Sequence, residues 1–153
     1  MMVAAAAGGI LVGAVCGAAQ ANAPDNGRWR GASNQTVTMT GEITIAATRL
    51  TIYTTKFPLI PLRKLTPVEV SAVFEADVNA GISGNLYSVH VPPGVFIAGG
   101  SPLCGSEVIK WMATYVSGRT LRVAFFSGDD TPVFTFDAIA NSTALCATYV
   151  YTR

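Results

Sequence analysis

The chain has 153 residues, ten Lys and Arg against nine Asp and Glu, a single His, and a formal net charge of +1. Half of it is apolar and 12% is charged, well below the charged share of an average soluble protein. A balanced charge with no long run of either sign excludes a polyanion-binding tail and gives no footing for nucleic-acid binding.

From Val3 to Ala19 the chain reads VAAAAGGILVGAVCGAA, most hydrophobic at Ile10, Leu11 and Val12. This suits the apolar region of a cleavable secretory signal and is barely long enough to span a bilayer. Two overlapping A-x-A triplets follow, Ala19-Gln20-Ala21 and Ala21-Asn22-Ala23. Proline directly after the scissile bond hinders cleavage, so Pro24 favours the first triplet and a mature chain from Asn22. The leader lacks the usual Lys or Arg ahead of its apolar run. Cys16 is poorly placed for lipid attachment, with Val15 before it and Gly13 where Leu is typical. Retention as an anchor is disfavoured because Ala and Gly insert weakly. The expected organisation is a signal peptide over 1–21, a flexible lead-in over 22–34 and one β domain over 35–153. Contact with the membrane is then transient, through the signal segment, and the protein is periplasmic or secreted.

Removing the leader also removes Cys16 and leaves Cys104 and Cys146, an even pair in a small exported domain, for which a disulfide is expected. Such a bridge stabilises a fold by about 4 kcal/mol in the chain-entropy model.

In the lead-in, Arg28-Trp29-Arg30 places an indole between two guanidinium groups, suited to anionic lipid, glycan or a partner protein. From Gln35 onward, short runs alternate apolar and polar residues between Gly, Pro and Asn, the mark of antiparallel strands wet on one face. Val37 and Met39 share a face, then Ile43, Ile45 and Ala47. The phase changes at Thr48-Arg49, so that a turn or bulge there keeps Leu50 and Ile52 pointing inward. Pro58 and Pro61 suggest an edge or a connection. Residues 68–78 alternate well enough to predict a strand, with Glu69, Glu75 and Asp77 on its wet face. Residues 86–91 predict another, residues 92–107 a long Gly/Pro loop, and 108–116 a strand covered on both faces. A hairpin at Ser117-Gly118 leads into 121–126. Residues 137–145 suit a helical turn with Asp137 as N-cap, and 147–152 a final strand. The prediction is all-β: a small antiparallel barrel, lipocalin-like or similar, or a two-sheet sandwich, with seven to nine short strands after the signal segment.

The series ITIAATRLTIYTTKFPL, a strand ending in VPP, GGSPLCG, a WMA strand, LRVAFFSG and a terminal LCATYVYTR resembles small exported β-proteins of proteobacteria that lack an assigned activity. PLCG and LCATY are its most specific parts. The resemblance covers most of the mature chain and implies a disulfide-closed β domain, with no known chemistry.

Any metal site or histidine-based catalysis must use His90. A zinc site would need more partners than one His once both cysteines are oxidised. No G-x-S-x-G elbow occurs, and a triad would have to join His90 to an acid such as Asp129 or Asp130 across the fold. The acidic strip of Glu69, Glu75 and Asp77 reads as a solvated face. No motif calls for a cofactor or a metal, and no catalytic residue is assigned. The expected role is an exported cell-envelope binding or interaction module without catalytic activity, with Arg28, Trp29, Arg30 and His90 as candidate surface residues. Its partner would be a protein, a glycan or a small apolar ligand. The alternatives are a small secreted hydrolase using His90 with a nearby acid, or a structural envelope protein.

Overall fold

The computed structural model describes residues 23–80, 82–92, 95 and 103–153. The leader with Cys16, the cleavage position before Asn22 and much of the expected 92–107 loop lie outside the described residues.

Eight strands follow one another in chain order: β1 Gly27–Gly31, β2 Glu42–Ala46, β3 Arg49–Ile52, β4 Thr55–Leu65, β5 Gly84–Val89, β6 Trp111–Ser117, β7 Thr120–Phe126 and β8 Leu145–Thr152. Each pairs antiparallel with the next, and β8 returns to pair with β1, closing a barrel without sheet edges. The barrel, not the sandwich, is the architecture.

Alternation explains the interior. In β2 and β3, Ile43 faces Ile52 and Ile45 faces Leu50, all four buried; the two-residue turn at Ala47-Thr48 produces the phase change. Trp29, Phe57, Met112, Phe125, Tyr149 and Tyr151 point inward from five other strands and are at most 2% exposed. An eight-stranded barrel has an interior of a size that side chains fill or that holds one small ligand.

The prolines sit where closure tolerates them. β4 pairs with β3 up to Pro58 and with β5 from Leu59, so Pro58 and Pro61 each have a strand partner on one side only. A register shift between Pro61 and Arg63 marks a bulge beside the second proline.

Residues 68–78 are not a strand. Helix α2, Pro67–Phe74, starts at Thr66, whose side chain accepts from Glu69 N while the Glu69 side chain accepts from Thr66 N, a complete capping box with Pro at the first helical position. Glu75 ends it in the left-handed region, and a 3-10 turn follows at Val78–Ala80. The predicted acidic strip is thereby dispersed: Glu69 caps and pairs with Arg63, Glu75 is the C-cap, and Asp77 accepts from Asn79 N. Gly84 permits the packing, since a Cβ there would meet Thr114 O at 2.3 Å and Val70 Cγ2 at 3.1 Å.

The last predicted helical turn is helix α3, Phe136–Ala140, capped by Thr135 in place of Asp137. With α2 it covers the outside of β5–β7, where Leu86, Ala113, Ala124 and Phe126 form a second apolar cluster with Leu65, Phe74 and Phe134. Phe126 and Phe134 meet edge-on at 5.7 Å. This accounts for the strand expected to be covered on both faces.

Cys104 and Cys146 are joined, with Cα atoms 4.7 Å apart and a sequence separation of 42. Cys146 falls at the register shift where Phe125 and Phe126 face Ala147 and Leu145, so the bulge turns its sulfur out of the ladder. Among the described residues no helix is long and apolar enough to cross a membrane.

Candidate functional site

The barrel closes through only two β1–β8 residue pairs, Arg30 with Thr152 and Gly31 with Tyr151. Helix α1, Asn34–Met39, reinforces that seam. Ser33 caps it by accepting from Thr36 N, and the Thr36 hydroxyl accepts in turn from Val150 N at 3.2 Å. Thr40 and the Tyr151 hydroxyl share a buried hydrogen bond of 2.6 Å.

The described part of the expected 22–34 lead-in, residues 23–34, therefore belongs to the barrel: it contains β1 and the start of α1. Arg28-Trp29-Arg30 is a strand alternation, with Trp29 fully buried and both arginines exposed. This corrects the placement of Trp29 on the surface. Its indole is sealed into the barrel, where Nε1 donates to Asp25 O at 2.8 Å.

On the outside of the seam, a groove of about 490 Å³ is lined by Arg28, Arg30, Arg119, Thr152 and Arg153. Three separate parts of the chain supply the arginines. Arg28 and Arg30 come from alternate positions of β1. Arg119 lies in the two-residue turn between β6 and β7, opened by Gly118 with φ +58°, a conformation that favours glycine. Arg153 follows β8. Arg119 Nε donates to Arg153 O, and Thr152 Oγ1 donates to Arg119 O at 3.2 Å. The Arg153 guanidinium donates to Asn26 O at 3.1 Å and to Pro24 O at 3.2 Å, with its carbon 4.2 Å from the Trp29 ring centroid.

Electrostatically the groove is unbalanced. Arg28 pairs with Glu42, an exposed pair that contributes little to stability. Among the described residues, Arg30 and Arg119 form no ion pair with an acidic side chain. Among the described residues, the four guanidinium groups thus have one side-chain carboxylate as an ion-pair partner.

Beneath the groove lies a buried anchor. Asp25 is fully buried, and its Oδ2 accepts from Tyr87 OH at 2.8 Å, Thr114 Oγ1 at 2.5 Å and Asn85 Nδ2 at 3.1 Å. Its Oδ1 has no hydrogen-bond partner among the described residues. Burial first, then the Asp25 charge and the hydrogen bond to it, push the Tyr87 hydroxyl far above its ordinary value, so it remains a donor. This carboxylate holds residues 23–26 across the barrel end, and the main-chain oxygens of that segment hold Arg153.

Comparison with known protein families, curated proteins and solved structures finds no match to this chain.

His90 lies elsewhere. It is exposed just after β5, with its backbone N–H on Pro58 O, and it does not line the groove. Asp129 pairs with Lys110 instead, and among the described residues no ion pair joins His90 to a carboxylate. No group of three His, Cys, Asp or Glu among the described residues is arranged to hold a metal. Of the four candidate surface residues, the fold brings Arg28 and Arg30 together and adds Arg119 and Arg153, which sequence reading passed over. A signal for them existed: in an up-and-down barrel the first and last strands must be neighbours, so residues 28–30 and 152–153 share a seam.

Proposed function

We propose that the chain is an exported binding module of the cell envelope, without catalytic activity, that holds its ligand on the outer surface of the barrel at the β1–β8 seam. The observation that carries this reading is a groove on the outside of the barrel lined by four arginines drawn from three separate parts of the chain. The disulfide suits an oxidising compartment, and the leader supplies a route to it.

The test is an NMR titration of the oxidised exported protein with three probes: a heparin hexasaccharide, chitohexaose, and phosphatidylglycerol vesicles. Amide shifts centred on Arg28, Arg30, Arg119 and Arg153 with at least one probe are expected. Shifts confined to barrel-interior residues such as Val123, shifts centred on His90, or no shift with any probe would overturn the reading.

A further inference from the structure

We infer that the arginine groove is a binding site for a phosphoryl group, carried by a phosphorylated ligand whose remaining atoms lie along the same groove. The inference rests on the proposed surface-binding function and assigns its ligand class.

Charge supports it first. Four of the ten cationic side chains of a nearly neutral protein converge on one groove, assembled from segments remote in sequence. Like charges gathered in this way repel one another, and a bound anion relieves that repulsion. Donor chemistry supports it next. All four are arginines, whose planar forks match phosphate oxygens in pairs, and among the described residues Arg30 has no ion-pair partner competing for its fork.

Rigidity is the third argument. Arg153 is fixed by two main-chain oxygens and the Trp29 face, and Arg119 by its turn and Arg153 O. Groups already held in position lose little freedom on binding. At about 490 Å³ the groove exceeds a single phosphoryl group, which leaves room for the substituent.

The experiment is calorimetric titration of the oxidised protein with pyrophosphate, alongside flotation with phosphatidic acid and phosphatidylcholine vesicles. Pyrophosphate should bind saturably, with affinity lowered about tenfold in Arg30→Ala and in Arg119→Ala, the loss expected for one charge-assisted contact. Lys56→Ala, a cation outside the groove, should leave it unchanged. Co-flotation with phosphatidic acid alone, competed by pyrophosphate, assigns the phosphoryl group to a lipid headgroup. Pyrophosphate binding without flotation assigns it to a soluble ligand.

Absence of saturable pyrophosphate binding, or an equal loss in Lys56→Ala, overturns the inference. Groove shifts with chitohexaose but no pyrophosphate binding would sink the phosphoryl assignment and leave surface binding standing. Silence of the groove towards every probe removes both. Circular dichroism of Arg30→Ala checks that it folds, as expected for a side chain with no internal ion pair.

Discussion

The barrel wall has two outer faces built from the same strand alternation and put to opposite uses. On β5–β7 the outward residues Leu86, Ala113, Ala124 and Phe126 are apolar and packed with α2 and Phe134, so that Phe126 is as buried outside the barrel as Phe125 is inside. On β1 and the end of β8 the outward residues are Arg28, Arg30 and Thr152, and they line an open groove. The covered face is explained by stability. The open face gathers like charges that stability does not ask for, which is why the proposed recognition is placed there.

The covered face should show the larger effects on mutation. Phe126→Ala removes a fully buried ring from the cluster with Phe134 and should cost about 4 kcal/mol, read as a fall in the urea midpoint at unchanged slope. A cost no larger than that of a surface substitution would mean that the helices do not seal that face. Asp25→Ala follows at about 3 kcal/mol, because three donors lose their shared acceptor in a buried setting. Asp25→Asn, which keeps an oxygen acceptor, should recover part of that loss. Equal costs for the two variants would show that the charge, rather than the hydrogen bonds, anchors residues 23–26.

The covered face is also where sequence reading went astray. Val68, Val70, Ala72 and Phe74 satisfy a strand period, and the composition of that stretch is rich in valine. Yet Thr66, Pro67 and Glu69 spell a helix start, and the local capping chemistry outweighs the alternation. The all-β antiparallel class was legible, with barrel and sandwich both open, because β2 and β3 alternate between turn residues and β6 and β7 are short apolar runs, and so was the cysteine pair. The seam was not. Polar composition around Asn26 and Gly27 suggested a lead-in, but the interior needs the Trp29 ring, and the Asp25 contacts span 60 to 89 residues in sequence. Long-range polar contacts of that kind leave no local pattern.

A smaller effect separates the interior by pH. The Tyr87 hydroxyl is raised in the folded state, by burial first, above an ordinary value of about 10. Below pH 10 both folded and unfolded forms keep the proton. Above it the unfolded chain releases the proton first, so folding stability falls as pH rises. Tyr151, raised mainly by burial, contributes in the same direction. Tyr87→Phe should therefore flatten the alkaline arm of a stability profile, leaving the residual slope to Tyr151 and to Tyr149, which burial also raises. An unchanged slope would mean that Tyr87 is as accessible as in the unfolded chain.

The smallest expected effect discriminates best between the two faces. Arg30→Ala should change stability by no more than about 0.5 kcal/mol, in keeping with an exposed side chain that forms no ion pair among the described residues. Its sign carries the information. If the groove holds uncompensated charge, removing one guanidinium should leave the protein equal to or slightly more stable than its parent in thermal unfolding at low salt, and the difference should fade as salt screens the cluster. Pyrophosphate should reverse the order, because a ligand that binds only the folded state stabilises the parent more than the variant with the weaker site. A variant less stable than its parent at every salt concentration would show that Arg30 belongs to the scaffold, and the open face would then be one more part of the barrel's stability.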